Sequence, residues 1–357
     1  MYKKFFMGIA AMAALTLVSC SSDDLNSLSD NSSKNEAISF DGYLGRSAVA
    51  VNGTRGSVET KDQLKTDGFG VFGNYNSTGG QNFGSNLFNN VKVYSSSTVE
   101  PVIWTYENKK YWPTEGNINF LAYAPYADKT ALNTTLDGKM TSCINFTVEG
   151  EAAKQKDLLW ANAKDQTKQT ISSTENNNKV KFQFAHALSR LGYTVKLKDA
   201  YSDATITLKN ITLAGSTDGK TKTAFYKTGT IDLSYTSSST ASLWDTSSSD
   251  KQNFTWFSGD QKLTDKVANN TEYLFVIPQD FSQKTPGADE LYVIVEYTIQ
   301  TGSTALMTSK VYQKLDKKFE QGKAYMINLT IGLTPIEFNA EVNNWDESDK
   351  GYDITWD

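Results

Sequence analysis

Few side chains in this 357-residue sequence could take part in catalysis or hold a metal ion. His186 is its only histidine, and Cys20 and Cys143 are its only cysteines. A zinc site of His and Cys ligands, or a reaction that needs two imidazoles, is therefore excluded. Carboxylates are numerous enough for a glycosidase pair, but none stands in a recognisable catalytic context. Four acidic residues near the C-terminus lack the spacing of an EF-hand calcium loop: Asp346, Glu347, Asp349 and Asp353.

The segment Gly68–Gly73 matches the G-x-G-x-x-G pattern of dinucleotide-binding loops. In such loops the glycines lie between a strand and a helix, with an acidic residue about 20 positions later. Here the turn-forming residues 74–80 follow instead, and Phe69 and Val71 alternate with small residues. We interpret the segment as a strand and expect no cofactor.

His186 continues the alternation of Phe182 and Phe184, which places all three on one face of a predicted strand. A buried imidazole needs hydrogen-bond partners, and we expect a nearby backbone carbonyl or Ser189 to supply them. A catalytic role would require a nucleophile and a carboxylate that the sequence does not place. Cys143 lies in an alternating segment and is interpreted as a small buried hydrophobic residue.

Four aromatic residues that are close in sequence could line a sugar-binding groove: Trp104, Tyr106, Tyr111 and Trp112. The alternation of this segment and the proline at position 113 favour a different interpretation, in which the rings belong to a core and a turn.

The N-terminus has the form of an export signal. Two lysines precede an apolar run over residues 5–18, which is too short to span a bilayer. The run ends in Leu-Val-Ser-Cys at Cys20, which resembles the lipoprotein box of bacteria. We expect residues 1–19 to be removed and Cys20 to carry a lipid such as palmitate. The alternative is an ordinary secreted protein in which this cysteine has no role.

The composition of the chain argues against one class of function and indicates the class of fold. The net charge is −5 and no cluster of Lys and Arg is present, which argues against nucleic-acid binding. Residues 20–36 are rich in Ser, Asp and Asn and are predicted to form a disordered tether. Aromatic and β-branched residues dominate the rest, as is typical of β-structure.

Strand-like runs follow one another without long amphipathic helices between them. Only residues 151–156 suggest a turn or two of helix. We predict an all-β fold with two tandem antiparallel β-sandwich domains, residues 37–198 and 199–357. The predicted strands are residues 68–75, 101–106, 117–125, 142–148, 180–184, 191–197, 204–214, 230–235, 253–257, 272–278, 290–300, 305–312, 324–331 and 336–345.

Motifs along most of the chain resemble, in order, the fimbrillin family, the subunits of type V pili of Bacteroidota. Two of these matches are the strongest: Asp157-Leu158-Leu159-Trp160-Ala161 and Phe184-Ala185-His186-Ala187-Leu188-Ser189-Arg190-Leu191. The others are Ile38-Ser39-Phe40, Thr54-Arg55-Gly56, Asp67–Phe72, Tyr111-Trp112-Pro113, Asn119–Pro125, Gly322–Tyr325, Leu329–Ile331 and Val342–Trp345.

The resemblance implies two transthyretin-like sandwich domains and export to the cell surface as an outer-membrane lipoprotein. It also implies that an extracellular Arg- or Lys-specific protease removes the first strand. Such a cut would lie at Arg55, which matches the family better, or at Arg46. The removed strand would carry Ile38 and Phe40, whose side chains we expect to fill a groove in the sheet.

Assembly in this family is thought to use a donor strand from the C-terminal region of the next subunit. Only twelve residues follow Trp345, and among them Tyr352, Ile354 and Trp356 alternate as one short strand. A long C-terminal appendage is therefore lacking. The leading interpretation is a non-enzymatic fimbrial subunit that supports adhesion, with other subunits as partners. The alternatives are a lipid-anchored glycan-binding module that does not polymerise, and a surface hydrolase.

Overall fold

The described part of the chain is dominated by β-strands, which confirms the predicted all-β class. The computed structural model describes residues 37–44, 59–76, 86–97, 102–134, 141–174, 176–236, 242–247, 249–269, 273–302, 307–332 and 337–344. No helix within these ranges is long and apolar enough to cross a membrane. Several residues to which the sequence assigns a role lie outside them: Cys20, Arg46, Arg55, Tyr352, Ile354, Trp356 and the acidic residues after 345.

The described elements are short, and most of them are strands. The strands are β1 (Phe40–Leu44), β2 (Phe69–Asn76), β3 (Asn86–Ser95), β4 (Trp104–Thr105), β5 (Asn117–Ala124), β6 (Cys143–Thr147), β7 (Leu159–Gln166), β8 (Val180–His186), β9 (Ser189–Leu197), β10 (Ala204–Ala214), β11 (Phe225–Tyr226), β12 (Thr228–Asp232), β13 (Trp244–Asp245), β14 (Lys251–Gln252), β15 (Phe254–Lys262), β16 (Ala268–Asn269), β17 (Leu274–Val276), β18 (Gln279–Asp280), β19 (Tyr292–Thr301), β20 (Met307–Lys314), β21 (Lys318–Phe319), β22 (Lys323–Ile331) and β23 (Glu337–Asn344). The helices are α1 (Lys61–Asp67), α2 (Lys168–Ile171) and a 3₁₀ turn at Ala152–Lys154.

Seven strands of the N-terminal half form one sheet in the order β1-β8-β7-β5-β2-β3-β4. One face of this sheet carries a mostly aromatic core that includes Phe69, Phe120 and Phe182. The opposite face carries Phe72 and Leu121, which belong to the core of the C-terminal half. Because strand residues alternate between faces, the sheet contributes to both cores.

The C-terminal half is built around two larger sheets. One has the order β15-β10-β19-β20, and the other has the order β16-β9-β22-β23 with β17 also paired to β9. Three small sheets complete it: β11-β14, β13-β12-β6 and β18-β21. In β10 the alternation of buried residues shifts between Leu208 and Ile211, where the ladders to both neighbouring strands contain a β-bulge.

Strand pairing changes at residues 187–188, between β8 and β9. The predicted domain boundary at residue 198 would place β9 in the first domain, yet β9 pairs with β16, β17 and β22. Strand β6 likewise pairs with β12 of the later half. Residues 37–357 form one compact unit. Strands β6 and β9 thus pair with later strands, and the division into two domains at residue 198 stays a prediction.

Two ladders among the described strands are parallel, β1 with β8 and β9 with β22, whereas the sequence pattern suggested antiparallel pairing. Alternation reports which face of a strand is buried and carries no information on the direction of its neighbour.

Helix α1 was not anticipated from the sequence. Thr60 caps it: the Thr60 hydroxyl accepts from the Gln63 N–H at 3.2 Å, and the Gln63 side chain accepts from the Thr60 N–H at 3.0 Å. This capping box satisfies two donors that a helix start otherwise leaves free. Leu64 is buried and packs this seven-residue helix against the aromatic core. The 3₁₀ turn at Ala152–Lys154 falls within the short helical segment that was predicted.

Candidate functional site

The candidate site is the position that β1 occupies at the edge of the N-terminal sheet. Ile38 and Phe40, the two residues predicted to fill a groove, are both 1% exposed. The Phe40 ring centroid lies 5.3–5.6 Å from four other ring centroids, in edge-on, tilted and stacked arrangements: those of Phe88, Tyr106, Phe120 and Phe182. Such aromatic pairs stabilise a fold by about 0.5–1.5 kcal/mol each beyond simple area burial. Phe40 is therefore the main side-chain anchor of β1.

Backbone hydrogen bonds hold the start of β1 on two sides. The Ile38 N–H donates to the Lys110 carbonyl oxygen at 2.8 Å, and the Tyr106 hydroxyl donates to the Ile38 carbonyl oxygen at 2.8 Å. On the other side, the Val180 N–H donates to the Ser39 carbonyl oxygen at 2.8 Å and begins the parallel ladder. This ladder runs over five residue pairs only. The strand is thus fixed by few main-chain bonds.

The outer side of β1 has no neighbouring strand in the described sheet, since β1 is the first strand in its order. Tyr43 on this strand is 40% exposed, in contrast to Phe40. The segment is therefore retained by one ladder, by the hydrogen bonds of Ile38 with Lys110 and Tyr106, and by the buried side chains of Ile38 and Phe40.

The aromatic residues considered for a sugar-binding groove belong mostly to the same core. Trp104, Tyr106 and Trp112 are buried, and only Tyr111 is exposed. Trp104 packs against Phe69 with ring centroids 5.1 Å apart. The interpretation as core and turn is confirmed, because buried rings cannot offer a face to a sugar.

Three buried titratable residues meet beside this site. The His186 Nδ1 lies 2.7 Å from the Asp157 Oδ2, and the Glu59 backbone N–H donates to the same oxygen at 3.2 Å. Asp157 immediately precedes β7, and His186 ends β8. The expected partner Ser189 is engaged elsewhere, since its hydroxyl donates to the Glu320 carbonyl oxygen. His186 therefore belongs to a buried hydrogen-bonded arrangement that the sequence did not predict.

The pKa of the Glu59 carboxyl is raised from 4.5 to about 8, mainly by burial. The negative charges of Asp67 and Asp157 contribute to this increase, and Lys156 opposes it. Glu59 is thus a protonated acid in the folded chain at neutral pH. It stands at the first described position after the segment that contains Arg46 and Arg55, and its backbone ties that position to Asp157.

The glycines of the G-x-G-x-x-G match serve packing. Gly68 ends α1 with φ = +73°, and a Cβ atom on it would lie 2.5 Å from the Val93 carbonyl oxygen. A Cβ atom on Gly70 would lie 2.3 Å from the Tyr123 ring. The segment continues as β2, so the interpretation as a strand is confirmed. Cys143 in β6 is half-buried, and its surroundings raise the pKa of its thiol, mainly through desolvation.

Sequence reasoning missed Glu59 and its contact to Asp157, because the two residues are 98 positions apart. One local signal was present: Thr60 and Gln63 have the spacing of a capping box, which would have placed Glu59 at the N-terminus of a helix.

Comparison with known proteins shows which proteins this chain resembles. A family model described as fimbrillin-like matches residues 54–345. A search of the curated proteins finds no match. Among solved structures, a fimbrial protein from Bacteroides vulgatus ATCC 8482 is 22% identical, with a TM-score of 0.60 over 87% of this chain and 99% of that one. A candidate cell adhesion protein from Bacteroides uniformis ATCC 8492 is 17% identical, with a TM-score of 0.50 over 87% and 99% of the two chains.

These two structures share the fold at an identity too low to carry function by themselves. The family model matches most of the chain, from β2 through β23. It begins at residue 54, so β1 lies before it. The chain belongs to the fimbrillin-like family.

Proposed function

We propose that this chain is a structural subunit of surface fimbriae that supports cell adhesion and assembles by protease-activated donor-strand exchange. The observation that carries the proposal is the position of β1, an edge strand whose Phe40 lies at the centre of an aromatic core. Export as an outer-membrane lipoprotein through Cys20 would hold the precursor at the surface until it is cut.

Loss of β1 would create an acceptor site. Four rings would lose their contact with Phe40: those of Phe88, Tyr106, Phe120 and Phe182. The edge of β8 would lose the five-residue ladder that starts at Val180. Unpaired N–H and C=O groups beside an empty apolar cavity favour the addition of another strand.

Both predicted cut sites lie between β1 and the core that would remain. β1 ends at Leu44 and the description resumes at Glu59, so cleavage at Arg46 or Arg55 separates the two. The contact of the Glu59 N–H with Asp157 would hold the new N-terminal region in place. The cut would also release the subunit from the lipid on Cys20.

The strand that enters the acceptor site is proposed to come from the next subunit. Tyr352, Ile354 and Trp356 alternate at the C-terminus and could supply one face of side chains. Because donor and acceptor sites differ, each subunit would accept one strand and donate another. Such head-to-tail association does not close and therefore builds a filament.

The proposal is tested with an Arg-specific protease. The chain has three arginines, and the third, Arg190, is buried in β9 at 5% exposure, so the folded protein offers cuts only at Arg46 and Arg55. Cleavage should produce an SDS-resistant ladder on gels. The double variant Arg46→Ala/Arg55→Ala should stay uncut and monomeric, and the single variants identify the site by product mass.

A deletion of residues 350–357 provides the matched control for the donor strand. The deleted chain should be cut normally and yet give no ladder. A chain that remains monomeric after cleavage has been verified by mass spectrometry would contradict the assembly proposal. The alternative of an anchored glycan-binding module has lost its predicted platform, because Trp104, Tyr106 and Trp112 are buried.

A further inference from the structure

An open cleft of about 380 Å³ lies in the C-terminal half, apart from the site of β1. Its walls come from the ends of several strands, and three aromatic and three polar side chains matter for its chemistry: Tyr226, Tyr235, Trp244, Gln279, Asp289 and Gln321. None of these residues contributes to the aromatic core around Phe40. The volume lies within the roughly 300–1,000 Å³ that small-molecule sites occupy.

The polar wall of the cleft is held in place before any ligand arrives. The Gln279 Nε2 donates to the Asp289 Oδ2 at 2.7 Å and to the Ala224 carbonyl oxygen at 2.9 Å. The Gln279 Oε1 accepts from the Tyr226 N–H at 3.3 Å, and Lys251 forms an ion pair with the Asp289 Oδ1. A carboxylate has about four acceptor positions, so the fixed Asp289 retains capacity for further donors.

The aromatic wall is also anchored. The Trp244 Nε1 donates to the Ala187 carbonyl oxygen at 2.8 Å. The Tyr235 ring packs edge-on against Trp160 with centroids 5.6 Å apart. Tyr226 and Tyr235 are half-buried, so each presents part of its surface. Rigid aromatic side chains lose little conformational entropy when a ligand binds.

We propose that this cleft binds a neutral saccharide. The half-buried rings of Tyr226 and Tyr235 pack against the C–H surface of a pyranose, while the Asp289 carboxylate and the Gln321 amide bond to its hydroxyl groups. Among the described residues that line the cleft, two are aspartates, Asp280 and Asp289, and none is a lysine or arginine. Lys251 neutralises the charge of Asp289, and Asp280 leaves one further negative charge, so a ligand with a carboxylate or phosphate group would be disfavoured. The site would give the subunit a binding activity that is independent of polymerisation.

The test uses the uncut, purified chain, so the result does not depend on assembly. Saturation-transfer difference NMR would be recorded with lactose, maltose, cellobiose and mannobiose. At least one of these disaccharides should receive saturation. Sialyllactose, which adds a carboxylate to lactose, should bind at least three-fold more weakly than lactose or not at all.

Variants locate the binding. Asp289→Asn and Tyr235→Ala should each lower the affinity at least five-fold, and Thr246→Trp, which fills the cleft from its wall, should abolish binding. The matched controls are Asp316→Asn, an acid paired with Lys314 outside the cleft, and Tyr312→Ala, an exposed tyrosine on β20. Both should bind as the unaltered chain does.

If Tyr235→Ala unfolds the chain, Tyr235→Phe keeps the ring and should retain affinity within two-fold. Saturation of none of the four disaccharides would overturn the proposal. Binding that survives both Asp289→Asn and Thr246→Trp would overturn it equally, since the sugar would then lie elsewhere. Selective retention of peptides in place of sugars would also contradict it.

Discussion

The two parallel ladders of this protein differ in how their strands are held. Strand β1 is paired with β8 over five residues and has no strand on its other side. Strand β22 is paired with β9 over eight residues and with β23 over another eight. The first strand depends on one ladder and the rings around Phe40, whereas the second is enclosed on both sides.

Under the proposed assembly, this difference separates a replaceable strand, β1, from a permanent one, β22. Removal of β22 would break two ladders and expose Tyr325, Ile327 and Leu329, all of which belong to the main core of the C-terminal half. Removal of β1 exposes a compact aromatic cavity and leaves every other ladder of the sheet intact. Under the proposed cleavage, the two ladders of β22 would remain paired.

The difference between β1 and β22 is tested most strongly by truncating one buried side chain in each strand. Phe40→Ala and Ile327→Ala should each lower the free energy of unfolding of the uncut chain, by about 3–5 and about 2–5 kcal/mol respectively, because each leaves a cavity. After cleavage by the Arg-specific protease and removal of the released fragment, Phe40→Ala should have no effect, while the cost of Ile327→Ala should persist. Guanidinium titration measures both.

Tyr43→Ala is the matched control for that pair. Tyr43 lies on β1 but is 40% exposed, so its truncation should change stability by less than about 0.5 kcal/mol. A persistent effect of Phe40→Ala after verified removal of the fragment would show that the Phe40 site is not what cleavage vacates.

Glu59 marks the junction between the replaceable and the permanent parts, and its carboxyl makes stability depend on pH. Because the folded pKa is about 8 and the ordinary value is 4.5, the folded chain retains a proton that the unfolded chain releases. Stability from this group is full below pH 4.5 and is lost as the pH rises to about 8, with a fall on the order of 5 kcal/mol. Unfolding titrations at several pH values measure this fall.

Glu59→Gln keeps the shape without the charge and should flatten that part of the pH profile. The groups that face Glu59 are Asp67, Asp157 and Lys156, with His186 bound to Asp157, and all remain in the variant. Glu296→Gln on the exposed face of β19 serves as the control and should keep the slope. Identical slopes for the unaltered chain and Glu59→Gln would contradict the assignment.

The smallest effect is expected for a side-chain hydrogen bond in the ladder between β9 and β22. The Thr194 hydroxyl donates to the Asn328 Oδ1 at 2.7 Å, between β9 and β22. Thr194→Val should lower the free energy of unfolding by about 1 kcal/mol, and by the same amount before and after cleavage. Thr308→Val on the edge strand β20 is an exposed comparison that should cost less. A cost that disappears on cleavage would mean that β1 influences the second sheet.

Much of the strand content was predictable from the residues alone. Alternating apolar residues located β10 at Ala204–Ala214 and brought β5, β19 and β22 within two residues of their bounds. Strand β3 was missed because Asn86, Asn89 and Asn90 resemble turn residues, and Asn90 indeed has φ = +49°. Pairing with β2 imposes strand structure there despite low propensity.

For the candidate sites too, the sequence revealed local motifs but not the contacts between distant residues. The fimbrillin-like motifs around Asp157 and His186 were recognised in the sequence, but their contact at 2.7 Å was not. Neither was the third member, Glu59, nor the cleft beside Asp289, whose lining residues extend over almost a hundred positions of the chain. Local patterns cannot report such contacts, because they arise only when distant segments pack.

The sequence by itself determined the all-β class, the family resemblance and the absence of a two-histidine site. These properties depend on composition, spacing and alternation, which are local. Only the tertiary structure decided that β1 is a parallel edge strand, that β9 belongs with the later strands, and that three of four suspected platform aromatics are buried. The direction of a strand, its neighbouring strands and the burial of its side chains depend on contacts between remote segments. No single segment of the sequence contains the information that selects them.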